Sequence, residues 1–306
     1  MSVLLDHIPP AGRILIVRLR SLGDCVLTTP AIHLLKSARP DLRIAVMVEE
    51  RFRDVFTGNP DIAEVLPPAY GAAARFRPHL TINLHGGTRS MWLTLASLAR
   101  YRAGFVHYLG QPLYNVKLPR AQTVLGIERT VHTAEHVASA MFHLGVPLTR
   151  EIPRARLFAA PERAERPYAV IHAFASQPDK AWPADRFAEA AQYLADELHL
   201  DPVFIGAAGD DLSPFAPYRR MQGASLKQVQ GLLGGAALFL GNDSGPAHMA
   251  AAFGLPVVVL FGSSDATVWA PWRTTAQAIV APGGNLRNVA ARDVIAAMER
   301  LKVQAA

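Results

Sequence analysis

The chain has 306 residues, half of them apolar and 18% charged. That is the composition of a globular protein with a sizeable core, and it excludes a charge-rich disordered chain. The excess of 31 Lys and Arg over 25 Asp and Glu, +6 in all, reads either as solubility or as contact with something anionic; with no run of five or more basic residues, a nucleic-acid tail is not expected.

The single cysteine, Cys25, excludes an internal disulfide framework and a Cys-based metal cluster. Met1 to Gly12 carry no basic region followed by a long apolar stretch, so no signal peptide is expected. The longest apolar runs, such as Pro256 to Phe261, fall far short of the ~20 residues of a membrane span. A cytoplasmic protein is expected, or one resting on a membrane surface.

Short β-branched runs alternate with helical stretches. In chain order, Arg13 to Leu19 reads as a buried strand and Leu27 to Ala38 as a helix with Pro30 in its first turn, where proline is tolerated. Leu42 to Val48, Ile62 to Leu66 and Leu80 to Leu84 read as strands, and Met91 to Arg100 and Glu135 to Leu144 as helices. Val146 to Pro167, with four prolines and no period, reads as a linker. The pattern then restarts. Strands are expected at Tyr168 to His172, Pro202 to Ile205, Ala237 to Leu240 and Val257 to Phe261. Helices are expected at Ala184 to Leu198, Ser225 to Leu233, Pro246 to Phe253 and Arg292 to Leu301. This is an α/β chain of two doubly wound parallel-sheet units, residues 1–150 and 151–306, with a cleft between them.

Open parallel sheets bind ligands beyond the carboxyl ends of their strands, so the loops that follow strands carry the candidates. The first is Arg18-Leu-Arg-Ser-Leu-Gly-Asp24. Asp24 is either an N-cap aspartate or a general base toward a hydroxyl. The second is Gly241-Asn-Asp-Ser-Gly-Pro-Ala-His248. Ser244, Gly245 and Pro246 start a helix whose N–H groups suit a diphosphate. Asp243 could accept from sugar hydroxyls. His248 is either a packed core histidine or a phosphate donor. The third is His172 to Pro183, where Ser176 and Lys180 could reach phosphate oxygens, unless Lys180 is simply solvated. The fourth is Gly206-Ala-Ala-Gly-Asp210-Asp211, which suits a ribose or serves as an ordinary turn. No G-x-G-x-x-G, G-x-S-x-G or D-x-D occurs, and the eleven histidines show no convincing metal spacing. A metal-free, cofactor-free mechanism is expected.

Taken together these segments resemble glycosyltransferase family 9, the bacterial lipopolysaccharide heptosyltransferases. The likeness rests on RILIVRLRSLGDCVLTTPAI near the start, GNDSGPAHMAAAFGLPVVVLFGSSDATVWAPW near the end, and NLHGGTRS and HAFASQPDKAWPADRF in order between them. The resemblance implies a GT-B fold, with an acceptor-binding first domain and a nucleotide-sugar-binding second one. It implies inverting transfer of heptose from ADP-L-glycero-D-manno-heptose to the lipopolysaccharide inner core, with contact between the enzyme and an anionic inner membrane. By resemblance the catalytic aspartate falls on Asp24 and the phosphate-binding lysine on Lys180. The donor motif falls on Asp243, Gly245 and His248, Ser176 lies near where relatives place hydroxyls, and a ribose-binding acid lies near Asp210. Arg18, Arg20 and Arg89 are on first-domain loops and could meet a phosphorylated acceptor. The rival readings are a same-fold sugar-nucleotide epimerase or hydrolase and a non-catalytic two-domain sugar-binding protein.

Overall fold

The computed structural model describes residues 3–175 and 181–305. Backbone contacts divide the chain into two units, Met1–Phe158 and Ala159–Ala306.

The first unit holds strands β1 (Arg13–Val17), β2 (Arg43–Met47), β3 (Glu64–Leu66), β4 (Leu80–Asn83), β5 (Tyr101–Phe105) and β6 (Val116–Leu118). Its helices are α1 (Leu22–Ala38), α2 (Tyr70–Phe76), α3 (Thr88–Ala96), α4 (Ala121–Leu125) and α5 (Thr133–Leu144). All pairings are parallel, in the order β3-β2-β1-β4-β5-β6. The central strands are buried: Ile14 to Val17, Ile44 to Met47 and Leu80 to Asn83 are all inaccessible. Both sheet faces are therefore covered, as a parallel sheet with crossover helices requires. On one face Leu15, Val17, Ala45, Met47 and Leu66 pack under Ala73, Phe76 and Leu93 of α2 and α3.

The second unit repeats this plan with β7 (Tyr168–His172), β8 (Asp201–Gly206), β9 (Arg219–Gln222), β10 (Leu238–Asn242), β11 (Val257–Phe261) and β12 (Ala276–Val280). Its helices are α6 (Ala184–Asp196), α7 (Leu226–Gly235), α8 (Gly245–Phe253), α9 (Ala266–Trp269) and α10 (Ala291–Ala305). The sheet order is β12-β11-β10-β7-β8-β9, again all parallel. Numbered from its own first strand, that is the same 3-2-1-4-5-6 winding as the first sheet. In each unit the winding reverses between the first and fourth strands. This switch point lies between β1 and β4 in one unit and between β7 and β10 in the other, and a crevice opens there at the carboxyl edge.

Several expected boundaries change for physical reasons. The first long helix starts at Leu22, not Leu27, because Ser21 and Asp24 form a capping box ahead of it. Pro30 therefore sits inside the helix rather than in its first turn. It cannot donate to the Val26 carbonyl one turn back, and the Thr29 hydroxyl bonds that carbonyl instead, at 2.8 Å. Strands β5, β6, β9 and β12 were not expected from the sequence. Except for β5 they sit at or form sheet edges, and Arg219–Gln222 and Ala276–Val280 are largely accessible, so neither carries an apolar run. In β5, Gly104 stands where a Cβ would come within 2.7 Å of the Tyr114 ring, so packing there excludes the β-branched residues that mark a strand. The Pro-rich stretch contains no helix or strand from 151 to 167. Its first part belongs to the first unit, where the Arg156 N–H reaches the Thr29 hydroxyl at 3.0 Å.

Candidate active site

The loop from β1 to α1 lies at the first switch point. Arg18 follows directly after β1 and is only 6% exposed. Its Nη1 donates to Asp24 Oδ1 at 3.2 Å. The other carboxylate oxygen, Oδ2, accepts from the Ser21 hydroxyl at 3.0 Å and from the Ser21 N–H at 3.4 Å. The N-cap is therefore Ser21, and Asp24 occupies the third helical position. Of the two readings of Asp24, the N-cap position itself goes to Ser21, and Asp24 closes the cap from inside the first turn. Its side chain keeps 23% of its surface accessible, which leaves a fixed carboxylate able to meet a hydroxyl.

Arg20 and Arg89 are exposed, and Arg89 donates to the Pro68 carbonyl at 3.1 Å. Arg18 is different from these two, since it points inward and pairs with Asp24. Among the described residues its Nε meets no hydrogen-bond partner.

The rings of His85, Tyr108 and His136 lie near enough to this ion pair to feel its charges. Burial lowers the His85 imidazole, and the neighbouring Arg18 charge lowers it further, against a hydrogen bond to the Arg20 backbone. Burial brings His136, on α5, down to about 4, with His107 and Arg18 adding to the effect and Asp24 opposing it. Burial pushes the Tyr108 phenol up to about 12. All three are neutral near pH 7, so Asp24 is the group that answers the buried Arg18 cation. His136 stacks on Phe105 at 4.3 Å, and Tyr108 meets Phe105 edge-on at 5.4 Å. These residues come from strand ends and a helix far apart in sequence; His85 lies in the NLHGGTRS segment, whereas no local motif announces Tyr108 or His136. Cys25 is fully buried beside Asp24, and burial raises its thiol to about 12, which makes it a packing residue and not a nucleophile.

Asn83, the last residue of β4, shapes the other wall of the crevice. Its Oδ1 accepts from the His85 and Gly86 N–H groups at 2.9 and 3.1 Å. Its Nδ2 donates to Ser90 Oγ and Tyr114 OH at 3.1 and 2.8 Å. Gly86 has φ +79°, and a Cβ there would stand 2.6 Å from the Tyr108 ring. Glycine lets this loop turn and lets the ring close over it.

In the second unit β10 carries an asparagine at the same place. Asn242 is inaccessible; its Oδ1 accepts from the Trp182 N–H at 3.1 Å, and its Nδ2 donates to the Ala173 and Phe174 carbonyls at 3.1 and 3.4 Å. It thus holds both flanks of the segment 176–180. The expected donor residues Ser176 and Lys180 lie in that segment, outside the described residues.

Asp243, Ser244, Gly245 and Pro246 are half-buried at the second switch point, and Ser244 is the N-cap of α8 with Pro246 in its first turn. The Ser244 side chain makes no capping bond to the helix; its hydroxyl pairs instead with His172 Nδ1 at 3.1 Å. Burial holds His172 down at about 4, against the opposing charge of Asp210. The ring is therefore neutral near pH 7. His248 is 4% exposed and meets Trp269 edge-on at 6.2 Å. Asp210 turns onto its own loop, accepting from the Ala207 N–H at 2.7 Å. Asp211 caps the following turn through Ser213 N–H at 2.9 Å. The Phe174 ring lies 3.0 Å from where a Gly206 Cβ would stand, so the loops after β7 and β8 meet at that glycine. Among the described residues no group of three or more His, Cys, Asp or Glu side chains is placed to hold a metal ion, and no helix is long and apolar enough to cross a membrane.

The model of glycosyltransferase family 9 (heptosyltransferase) matches residues 77–297. The chain belongs to that family. The Asp24 loop precedes the matched residues, but the similarity to individual relatives extends over it. Lipopolysaccharide heptosyltransferase 3 of Escherichia coli K12 is 26% identical, over 91% of this chain and 95% of its own. The family 9 glycosyltransferase of Veillonella parvula superposes with a TM-score of 0.85 at 22% identity, covering 96% and 98% of the two chains. E. coli heptosyltransferase WaaC with ADP-2-deoxy-2-fluoro heptose superposes at 0.74 and 22% identity, covering 96% and 100%. The enzyme has the GT-B fold of these structures, and it is a glycosyltransferase.

Proposed function

We propose that the enzyme transfers heptose, with inversion, from ADP-L-glycero-D-manno-heptose to a hydroxyl of the lipopolysaccharide inner core. The observation that carries this reading is the Asp24 carboxylate, partly accessible and held on three sides by Arg18 and Ser21 at the first switch point. The names of the relatives, lipopolysaccharide heptosyltransferases, and the ADP-sugar held by one superposed structure support the choice of substrates.

In this mechanism Asp24 accepts the proton of the acceptor hydroxyl as its oxygen attacks the anomeric carbon. The bond to the diphosphate breaks on the opposite face, and ADP leaves with the electron pair. One ionic contact from Arg18 and two hydrogen bonds from Ser21 fix the carboxylate, so little reorganisation is needed before proton transfer. Arg20 and Arg89, exposed on loops of the same unit, attract a phosphorylated acceptor. In the second unit the N-terminus of α8 receives the diphosphate, through its positive dipole end and the Gly245 N–H left uncapped by the Ser244 side chain. Asp243 binds sugar hydroxyls, and His248 and Lys180 oppose the charge that develops on ADP. Asp210, engaged with its own loop, shapes the turn that meets the ribose. A lipid-borne acceptor places the enzyme at the cytoplasmic face of an anionic membrane.

The test is to incubate the purified enzyme with ADP-heptose and a heptose-deficient inner-core acceptor, following acceptor mass and the anomeric configuration of the product. Acceptor gaining one heptose of inverted configuration is expected. ADP release without any change in acceptor mass would point to a hydrolase or epimerase of the same fold and overturn the proposal.

A further inference from the structure

At the other end of β1 from the Asp24 loop lies a cavity of about 540 Å3. Four arginines line it, Arg13, Arg43, Arg53 and Arg75, with Glu64 as the carboxylate in its wall. Its position follows from the sheet. Arg13 opens β1 and Arg43 opens β2, and the two are direct partners in the parallel register. They project to the same face as Leu15 and Ala45, two residues on, and Glu64 joins that face as the partner of Ala45. On this face α2 covers the apolar residues through Ala73 and Phe76. The helix is only seven residues long and stops at Phe76, where Arg77 turns left-handed at φ +49°. Beyond it the face goes on as charge.

Two of the guanidiniums are fixed by backbone. Arg13 Nε donates to the Arg77 carbonyl at 2.9 Å, and Arg53 Nη1 donates to the Val65 carbonyl at 3.1 Å. Arg43 and Arg75 are exposed. Among the described residues none of the four forms an ion pair with a carboxylate, whereas Arg39 pairs with Asp41 and Arg129 with Glu135. Like charges on neighbouring strands repel. Four of them gathered in one concave site, with a single glutamate in its wall, leave positive potential that a bound anion would neutralise.

We infer that this cavity is an anion-binding site, separate from the transferase site, that takes a phosphate-bearing group. Guanidinium forks match phosphate oxygens in pairs, and the two backbone-fixed arginines present their remaining N–H groups without reordering. The phosphate could be carried by a soluble diphosphate or by a phospholipid headgroup; the chemistry is shared, and binding measurements separate the carriers.

The experiment uses the full chain and two double variants, R43Q/R75Q in the cavity and R150Q/R292Q as a charge-matched control on exposed arginines outside it. Neither exposed cavity arginine holds backbone, and circular dichroism and thermal melting confirm that both variants are folded. Inorganic pyrophosphate binding is measured by calorimetry in the presence of saturating ADP, which fills the donor site, and binding to phosphatidylglycerol against phosphatidylcholine vesicles by flotation. The expected result is that pyrophosphate or the anionic vesicles bind the unmodified chain and the control alike, while the cavity variant binds roughly tenfold or more weakly. A loss confined to pyrophosphate identifies a soluble ligand, and a loss confined to anionic vesicles identifies the headgroup. Absence of binding to both probes, or equal binding by the two double variants, overturns the inference.

Discussion

Replacing Asp24 with asparagine tests both the chemistry and the architecture of the first switch point. Asparagine keeps the shape and one acceptor oxygen but removes the charge. Arg18, 6% exposed, then loses the carboxylate it pairs with. At 3.2 Å and an effective dielectric of about 20, the Coulomb attraction is about 5 kcal/mol. Desolvation of the guanidinium offsets most of it. The partial exposure of Asp24 reduces it further, leaving a net loss of about 1–3 kcal/mol. The capping box weakens as well, because the amide oxygen accepts less strongly from Ser21. Removing the general base should lower kcat by about 10²–10⁴-fold while leaving donor affinity nearly unchanged. Urea denaturation measures the first quantity, and ADP release with acceptor measures the second. The companion variant Arg18→Met completes a double-mutant cycle. If the pair carries the effect, the double variant is less unstable than the sum of the singles. Wild-type turnover by Asp24→Asn would refute the role as base, and an unchanged urea midpoint would refute the buried-pair reasoning.

Asn242→Ala should lower stability by about 1–3 kcal/mol, since it strands the Trp182 N–H and two carbonyls in a buried place. It should also raise KM for the donor, read from initial rates, because both flanks of segment 176–180 are released. Gly86→Ala forces a side chain into φ +79° and onto the Tyr108 ring; a loss of about 1–3 kcal/mol in urea unfolding is expected, with lower turnover. For pH, His136 and His172 are each lowered by burial to about 4. The unfolded chain protonates them near 6.5, so it takes up protons that the fold refuses. Their contribution is complete above pH 6.5 and is lost as pH falls toward 4, at most about 3 kcal/mol each. Urea midpoints at pH 7, 5.5 and 4.5 should fall in that order, and His136→Gln should flatten the decline; a midpoint that rises on acidification contradicts the assignment.

Much of this protein is written locally. The burial of β1, β2, β4, β7, β10 and β11 follows from apolar runs that need no knowledge of their neighbours, and strand-then-helix alternation is enough to call for parallel sheets. The loops that matter follow strands, so Arg18 to Asp24 and Gly241 to His248 could be located before any contact was known. Motif likeness carried the family as well, because its segments keep their order.

What the sequence could not supply are properties that depend on which strands lie side by side. Edge strands β9 and β12 bury too little to leave an apolar signature, and their existence is decided by the neighbour they pair with. The inward turn of Arg18, in contrast to the outward Arg20 two residues on, depends on the rings of His85, Tyr108 and His136 arriving from β4, β5 and α5. Asn83, inside an expected strand, and Asn242, in an expected loop, look like ordinary polar residues until the switch points put buried polar groups around them. The four-arginine cavity exists because β1 and β2 begin in register and α2 ends too early to cover them. Sequence sets periodicity and turn chemistry, which act within a few residues. Burial, pairing and charge environment are set by chain segments meeting across the sheet, and those meetings only the tertiary structure decides.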